Sequence, residues 1–481
     1  MHAIMDKLFN YDEDKVILST FTNDYTARDI KEMVVFYEEM LKDKEINGKR
    51  VCLIIPTIHT YLAIALAVNN LGGTIIPLSW QYRKEDLTAV MEFLSPQIIF
   101  TIKELNQFSF SETLQNWARE SKKETVIFDS ADNTTWSEHY FDGEPRHLEE
   151  TKIEFICCSS GSTGTPKGMV LQNNILDAAY DLFPRYMDFQ RTDNVFLIAP
   201  PTGIFGLTTF FYGIQSGAKI VFAENFDLLK IIGMLDKHQC NKIVGTPSLL
   251  KAIYQVAKGV KPAVMENFTW VVLGGEKIPH DFLEQIALTD DCQVMTLYGS
   301  TEGGAIAYNN FRETSQYSIV EGNEYKLQDG ELLVKSQTAF KEYYQNPTLT
   351  SEVVDEEGWL YTGDMADIKA DGKFDIVGRK KEMIKKGGQA VFSGEIEQTL
   401  IHHEKVKQAA VFGVPHAIYG EEIIAFVVPD GEVNSKELTY YCSQRIAAYK
   451  VPDQIEFIDE FPVTQGKVDK ITLKKIHSGT V

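Results

Sequence analysis

The sequence predicts an α/β protein: a large N-terminal domain of parallel or mixed sheets covered by helices, then a small C-terminal α+β domain. Three observations predict it. The chain has 481 residues, too many for one compact core. Short β-branched runs alternate with amphipathic stretches as far as about residue 312, the rhythm of βαβ units. After residue 380 a new helix–strand–strand–helix–strand unit begins.

Taken in order, "RVCLIIP" is an apolar, β-branched run of strand length, and "TYLAIALAVNNL" is long enough for a buried helix. "GTIIPLS" and "QIIFT" are strands on either side of the helix "KEDLTAVMEFL". The same alternation resumes with "VFLIAP", "LTTFFYGIQS", "KIVFAE", "LLKIIGMLDKH" and "KIVGTP". Near-continuous apolar strands separated by helices are the mark of parallel sheets covered on both faces. Past residue 312, "GELLVKS" and "KFDIVGRK" read as antiparallel strands with turns such as "ADGK". The last unit runs helix "SGEIEQTLIHH", strands "AAVFGVP" and "IIAFVVP", helix "SKELTYYCSQRI" and strand "QIEFI". We place the division between domains 1–380 and 381–481, at Lys380–Lys381.

Composition excludes several function classes. The formal net charge is −21, the opposite of the basic footprint nucleic-acid binders carry. The N-terminal residues lack a basic stretch followed by a long apolar core, so no secretory signal is expected, and no apolar run is long enough to span a bilayer. The six cysteines, Cys52, Cys157, Cys158, Cys240, Cys292 and Cys442, form no CxxC pair. They read as free buried thiols of a cytoplasmic enzyme, not as a zinc site or disulfide framework.

Chemistry concentrates first in "SSGSTGTPKG", Ser159 to Gly168, which follows the strand "IEFICC" and precedes the amphipathic stretch "NNILDAAYDLF". Glycines let backbone approach a ligand. Successive N–H groups in such a loop form an anion nest, and Ser159, Ser160, Ser162, Thr163 and Thr165 add hydroxyls while Lys167 adds charge. The composition alone suits either a phosphate loop or a Gly/Ser linker; a position between strand and helix inside a domain favours the loop. It is not a Walker A loop, because Pro166 stands where the second Gly belongs and Gly168 follows Lys167.

"SSGSTGTPKGMVLQN" resembles the signature loop of the adenylate-forming, AMP-binding superfamily: acyl- and aryl-CoA ligases, peptide-synthetase adenylation domains and luciferases. The resemblance implies that Ser159, Ser160, Gly161, Ser162, Thr163, Gly164, Thr165 and Lys167 grip the β- and γ-phosphates of ATP. Further motifs follow in the family's order. "YGSTEGG" resembles the segment in which Tyr298 stacks on adenine beside Gly299 and Ser300, Thr301 bonds the α-phosphate and Glu302 ligates Mg²⁺. One carboxylate plus phosphate oxygens suffices for such a hard cation; read alone, the segment is equally a turn with a capping Thr–Glu pair. "LGGEKIP" places Gly274, Gly275 and Glu276 on the adenine side. "GWLYTGD" and "DIVGRKKEMIKKGG" resemble the ribose-binding segments, with Asp364 and Arg379 on the ribose hydroxyls. Lys381 falls on the family's hinge, and Gly387 and Gly388 fall on the face that meets the thiol arm. "FPVTQGKVDK" resembles the catalytic-lysine loop and assigns that role to Lys467; this copy is one residue shorter between Thr464 and Gly466. The resemblance covers nearly the whole chain. It implies a barrel-like part in the large N-terminal domain and a small domain swinging on a hinge.

The implied activity is adenylation of a carboxylic acid by ATP, with release of pyrophosphate, followed by transfer of the acyl group to the thiol of CoA. Carrier-protein pantetheine is the alternative acceptor. A nucleotide-binding regulator on the same scaffold is disfavoured because Lys467 and Glu302 are both present. "PPTGIFGLTTFF" lacks the acid that amino-acid-activating members use, and a buried ammonium without a counter-ion would cost several kcal/mol. Gly203 stands where many CoA ligases have His. Ile204, Phe205, Leu207, Phe210 and Phe211, with Thr246 of "GTPSLLKAI", form the expected wall of an apolar acyl pocket, unless these aromatics are simply core. A fatty or aromatic acid is the expected substrate.

Overall fold

A computed structural model describes residues 10–146, 148, 153–159, 166–199, 201–278, 281–416, 418–464 and 467–479. They pack as two compact units, one of residues 1–325 and 334–360, the other of residues 326–333 and 361–481.

The first unit holds two large sheets. In the nine-stranded sheet, six consecutive strands run parallel: Gln293–Ser300, Trp270–Gly274, Lys242–Gly245, Asn194–Leu197, Lys219–Phe222 and Val16–Ser19. Antiparallel strands Gly304–Asn310 and Asp24–Thr26 flank them. In the eight-stranded sheet, Phe155–Ser159, Thr74–Pro77, Arg50–Ile54, Ile98–Ile102 and Thr125–Ser130 are parallel, again with antiparallel strands outside. The inner strands are buried along their length, as in "RVCLI" and "IIFTI", because helices cover both faces. The helix Ile58–Asn70 is apolar nearly all round and correspondingly buried.

Two larger sheets and a short two-stranded ribbon hold the strands of the second unit. A four-stranded sheet takes the order Glu324–Gln328, Glu331–Lys335, Leu360–Ile368, Phe374–Arg379. This sheet explains why residues 361–380 pack as part of the second unit: their strands pair with the segment 326–333. A five-stranded sheet is built on the long hairpin Val406–His416 with Gly420–Pro429 and carries the helices Ser393–Ile401 and Ser435–Ser443. Its core is Ile384, Ile396, Leu400, Val411 and Val427.

All six cysteines are free, five of them buried and Cys158 partly so. Burial pushes the thiols up, Cys157 to about 12 and Cys292 to about 11. Among the described residues no helix is long and apolar enough to cross a membrane.

Candidate active site

The Gly-rich stretch joins two paired strands. Phe155–Ser159 and Lys167–Leu171 run antiparallel, with Ser159 opposite Lys167. The first strand, expected to lead on to a helix, is therefore paired with a second strand, and the helix Asn173–Leu182 starts only afterwards. The apolar run after Lys167, buried from Gly168 to Leu171, is what takes the second strand. Residues 160–165, which include Ser160, Gly161, Ser162, Thr163, Gly164 and Thr165, lie outside the described residues. Lys167 closes the loop, with its ammonium 5.7 Å from the centre of the Tyr343 ring.

Tyr298, Gly299 and Ser300 end the strand Gln293–Ser300, and Thr301, Glu302 and Gly303 turn the chain into Gly304–Asn310. Three hydrogen bonds set this turn. Gly303 N–H donates to Ser300 Oγ at 2.8 Å, Phe340 N–H donates to the Glu302 carbonyl at 2.8 Å, and Ala305 N–H donates to Thr338 Oγ1 at 2.9 Å. Gly304 has φ of +62°, and a Cβ there would lie 2.2 Å from the Thr338 carbonyl oxygen, so no other residue fits without moving backbone. The Glu302 side chain is held in turn: Tyr343 OH donates to its Oε1 at 2.7 Å. Burial first, and this hydrogen bond second, push the Tyr343 phenol well above the ordinary tyrosine range, so it stays a donor.

An apolar cleft opens beside this turn. It encloses about 780 Å³, including space open to solvent, and Ile204, Phe205, Gly275, Tyr298, Gly299, Ser300 and Thr301 all line it. These are expected site residues brought to one place. Ala179, Phe183, Thr208 and Thr338 line it too and were not foreseen; they are marked only by which helix face and loop the fold turns inward. Gly203 caps the helix Ile204–Ser216 and borders open space. Gly274 ends its strand against Leu297.

Two expected residues bond to the neighbouring helix. Thr246 is the N-cap of Pro247–Val260, accepting from Leu249 N–H at 3.3 Å. Glu276 accepts from Ser248 Oγ at 2.7 Å and from Ser248 N–H at 3.1 Å. A carboxylate there also suits the positive end of the helix dipole.

In the second unit, Asp364 and Arg379 face each other across paired strands. Arg379 Nε lies 2.9 Å from the buried Asp364 Oδ1, and its NH1 donates to the Thr362 carbonyl at 3.1 Å. A buried Glu331 supports the same stretch, accepting from Gly363 N–H at 3.0 Å and pairing with Lys380 at 2.6 Å. Lys381 sits in the exposed single turn Lys380–Glu382. Gly387 and Gly388 form the two-residue link between Met383–Lys386 and Gln389–Phe392, with φ of +57° and +77°. A two-residue hairpin turn with both φ positive asks for glycine by itself. Lys467 is described through its backbone, which pairs with Thr464 in a short ribbon. Asp469 then caps the following helix, accepting from Ile471 and Thr472 N–H at 3.0 Å each.

Among the described residues, no three His, Cys, Asp or Glu side chains gather to hold a metal. Glu302 still fits a hard cation as a single ligand: Tyr343 orients its carboxylate, and phosphate oxygens can complete the shell.

The AMP-binding enzyme family matches residues 9–344, and the AMP-binding enzyme C-terminal domain matches residues 395–467. The chain is 29% identical over 344 residues to the long-chain-fatty-acid CoA ligase FadD13 of Mycobacterium tuberculosis, covering 68% of each protein. It is 26% identical over 480 residues to the medium-chain fatty-acid CoA ligase of Escherichia coli, covering 89% of this chain and 81% of that protein. In fold it is similar to ATP-bound MatB from Rhodopseudomonas palustris, with a TM-score of 0.85, 20% identity and 99% of both chains covered. It is also similar to o-succinylbenzoate CoA synthetase from Bacillus subtilis in complex with its acyl-adenylate, with a TM-score of 0.82, 19% identity, and 98% of this chain and 97% of that one covered. With its two matched domains in order and the matched family covering most of its length, the chain belongs to the AMP-binding enzyme family.

Proposed function

We propose that the protein is an AMP-forming acid–thiol ligase that joins an apolar monocarboxylic acid to CoA through an acyl-adenylate. One observation carries the reading: Glu302, oriented by Tyr343, follows directly on Thr301 at an apolar cleft, with Lys167 of the Gly-rich loop against the same tyrosine ring. The relatives named as fatty-acid CoA ligases support it.

The first step brings a carboxylate to the α-phosphorus of ATP. A bond forms from carboxylate oxygen to phosphorus, and the bond to pyrophosphate breaks. Two anions must meet, so the residues have to supply positive charge and donors where charge develops. Lys167, the hydroxyls of the Gly-rich loop and Thr301 would do so on the phosphates, and Lys467 at the transferring group. Glu302 would hold a magnesium ion, which neutralises phosphate charge as a Lewis acid. Tyr298 would stack on adenine, and Asp364 with Arg379 would hold the ribose. Placing both reactants in one cleft lowers the entropic part of the barrier. In the second step the CoA thiol attacks the acyl carbon and AMP leaves.

The lining of the cleft supports an apolar acid. Its described lining contains no Lys, Arg, His, Asp or Glu, so neither a second carboxylate nor an amine on the substrate would find a counter-charge, and burying either unpaired is costly. A fatty or aromatic monocarboxylate fits. Pyrophosphate exchange with a panel of fatty, aromatic, dicarboxylic and amino acids tests this, repeated with CoA and with a pantetheinylated carrier to find the acceptor. Exchange with amino acids alone, or with none of the panel, would overturn the proposal.

A further inference from the structure

The Glu302 carboxylate and the Lys167 ammonium meet the same side chain from different directions. Tyr343 lies in the edge strand Glu342–Tyr343, which pairs with Lys167–Leu171 so that Met169 faces Tyr343. Its hydroxyl donates to Glu302 Oε1 at 2.7 Å. Its ring lies under Lys167 Nζ at 5.7 Å from the centroid, within the range of a cation–π contact. Two further features fix the ring. Tyr343 is buried, and the ring of Phe340 meets it edge-on at 4.9 Å. Phe340 in turn is tied by its backbone N–H to the Glu302 carbonyl. Glu302 is thus gripped at its carboxylate and at its backbone by one short span of chain. Its other carboxylate oxygen, Oε2, makes no hydrogen bond among the described residues.

We propose that Tyr343 is the positioning residue of this site: its hydroxyl aims the Glu302 carboxylate and its ring sets the Lys167 ammonium, so the metal-binding group and the end of the phosphate loop are held as one piece. The inference rests on the ATP-site reading above. The two functions of the side chain are chemically separate. Orienting a metal-binding carboxylate needs the hydroxyl; seating an ammonium needs the ring face. Partners that orient a metal ligand typically alter metal affinity or activity by about ten- to a hundredfold when removed.

The test separates hydroxyl from ring. ATP affinity of the full-length wild type, Tyr343→Phe and Tyr343→Leu is measured by titration calorimetry, once with magnesium and once with a chelator. Thermal melts show that each variant is folded. In Tyr343→Phe the strengthening of ATP binding by magnesium should fall at least about tenfold, with magnesium-free affinity unchanged. In Tyr343→Leu, magnesium-free affinity should fall as well. Equal magnesium strengthening in wild type and folded Tyr343→Phe would overturn the role of the hydroxyl. Equal magnesium-free affinity in Tyr343→Phe and folded Tyr343→Leu would overturn that of the ring. If the wild type binds ATP no better with magnesium than without, the site reading falls, and the tyrosine's part with it.

Discussion

At the scale of single residues, motif position and side-chain engagement are different kinds of information. Tyr298, Thr301 and Glu302 could be located because "YGSTEGG" resembles a family motif; its local features alone read equally as a capped turn. Tyr343, more than forty positions away in sequence, carries no local sign of its partner. Glu276 shows the converse. Its place after "LGG" suggests the nucleotide, yet both its oxygens are taken by Ser248 at a helix N-terminus. We therefore expect Glu276→Ala to behave as loss of a cap. Stability should fall by about 1 kcal/mol, read from the midpoint of urea denaturation, and the KM for ATP should change by less than about twofold. A folded, undiminished protein with ATP KM raised tenfold would return Glu276 to the nucleotide.

At the scale of elements, period and composition make the central strands of the two large sheets and the helices between them legible, but strands such as Val16–Ser19 and Thr125–Ser130 and helices such as Ala27–Leu41 and Phe110–Ser121 went unread. The strand Lys167–Leu171 was hidden because the prominent glycines before it suggest a loop leading straight into a helix. The cleft proposed for the acyl group was only half legible. Ile204 and Phe205 stand in a conspicuous aromatic run, but Ala179 and Phe183 matter because they are four apart on one face, which the fold turns toward that run. Behind Phe183 the space is filled. Its ring meets Tyr212 edge-on at 5.5 Å, and Tyr212 stacks on Phe189 at 5.2 Å, all three buried. Phe183 is thus a fixed wall and Ala179 a gap beside it. Ala179→Leu should fill that gap and exclude the longest acids the wild type accepts. Phe183→Ala should admit acids a few carbons longer, at a stability cost of about 3 kcal/mol. Each methylene gained or lost is worth about 1–3 kcal/mol in such a pocket, so the optimum in kcat/KM across a chain-length series should move visibly. An unmoved optimum in both variants would remove these two residues from the acyl site.

At the scale of the whole molecule, the two proposed half-reactions would share one set of residues, and Lys381 is the place expected for the change between them. Packing assigns Lys381 to the second unit, but within that unit it lies between two separately anchored sheets. Just before it, Arg379 is held by Asp364 at 2.9 Å and Lys380 by Glu331 at 2.6 Å, both on the four-stranded sheet. Just after it, Met383 pairs with Phe392 in the five-stranded sheet. An exposed single turn between two pinned segments is where a small backbone rotation meets least resistance. Lys467 lies on the far side of that turn in sequence, so rotation there would carry it as a body with the five-stranded sheet. Proline at 381 would lock its own φ and push Lys380 out of its helical conformation. Single-turnover measurements of the two steps should then separate the two variants. Lys467→Ala should slow adenylate formation by about a hundredfold or more, the scale of a lost transition-state donor, and leave transfer from supplied acyl-adenylate to CoA near the wild-type rate. Lys381→Pro should spare adenylate formation and slow transfer. Equal losses in both steps for Lys467→Ala would deny the lysine its selective role, and an unchanged transfer rate in folded Lys381→Pro would move the pivot elsewhere.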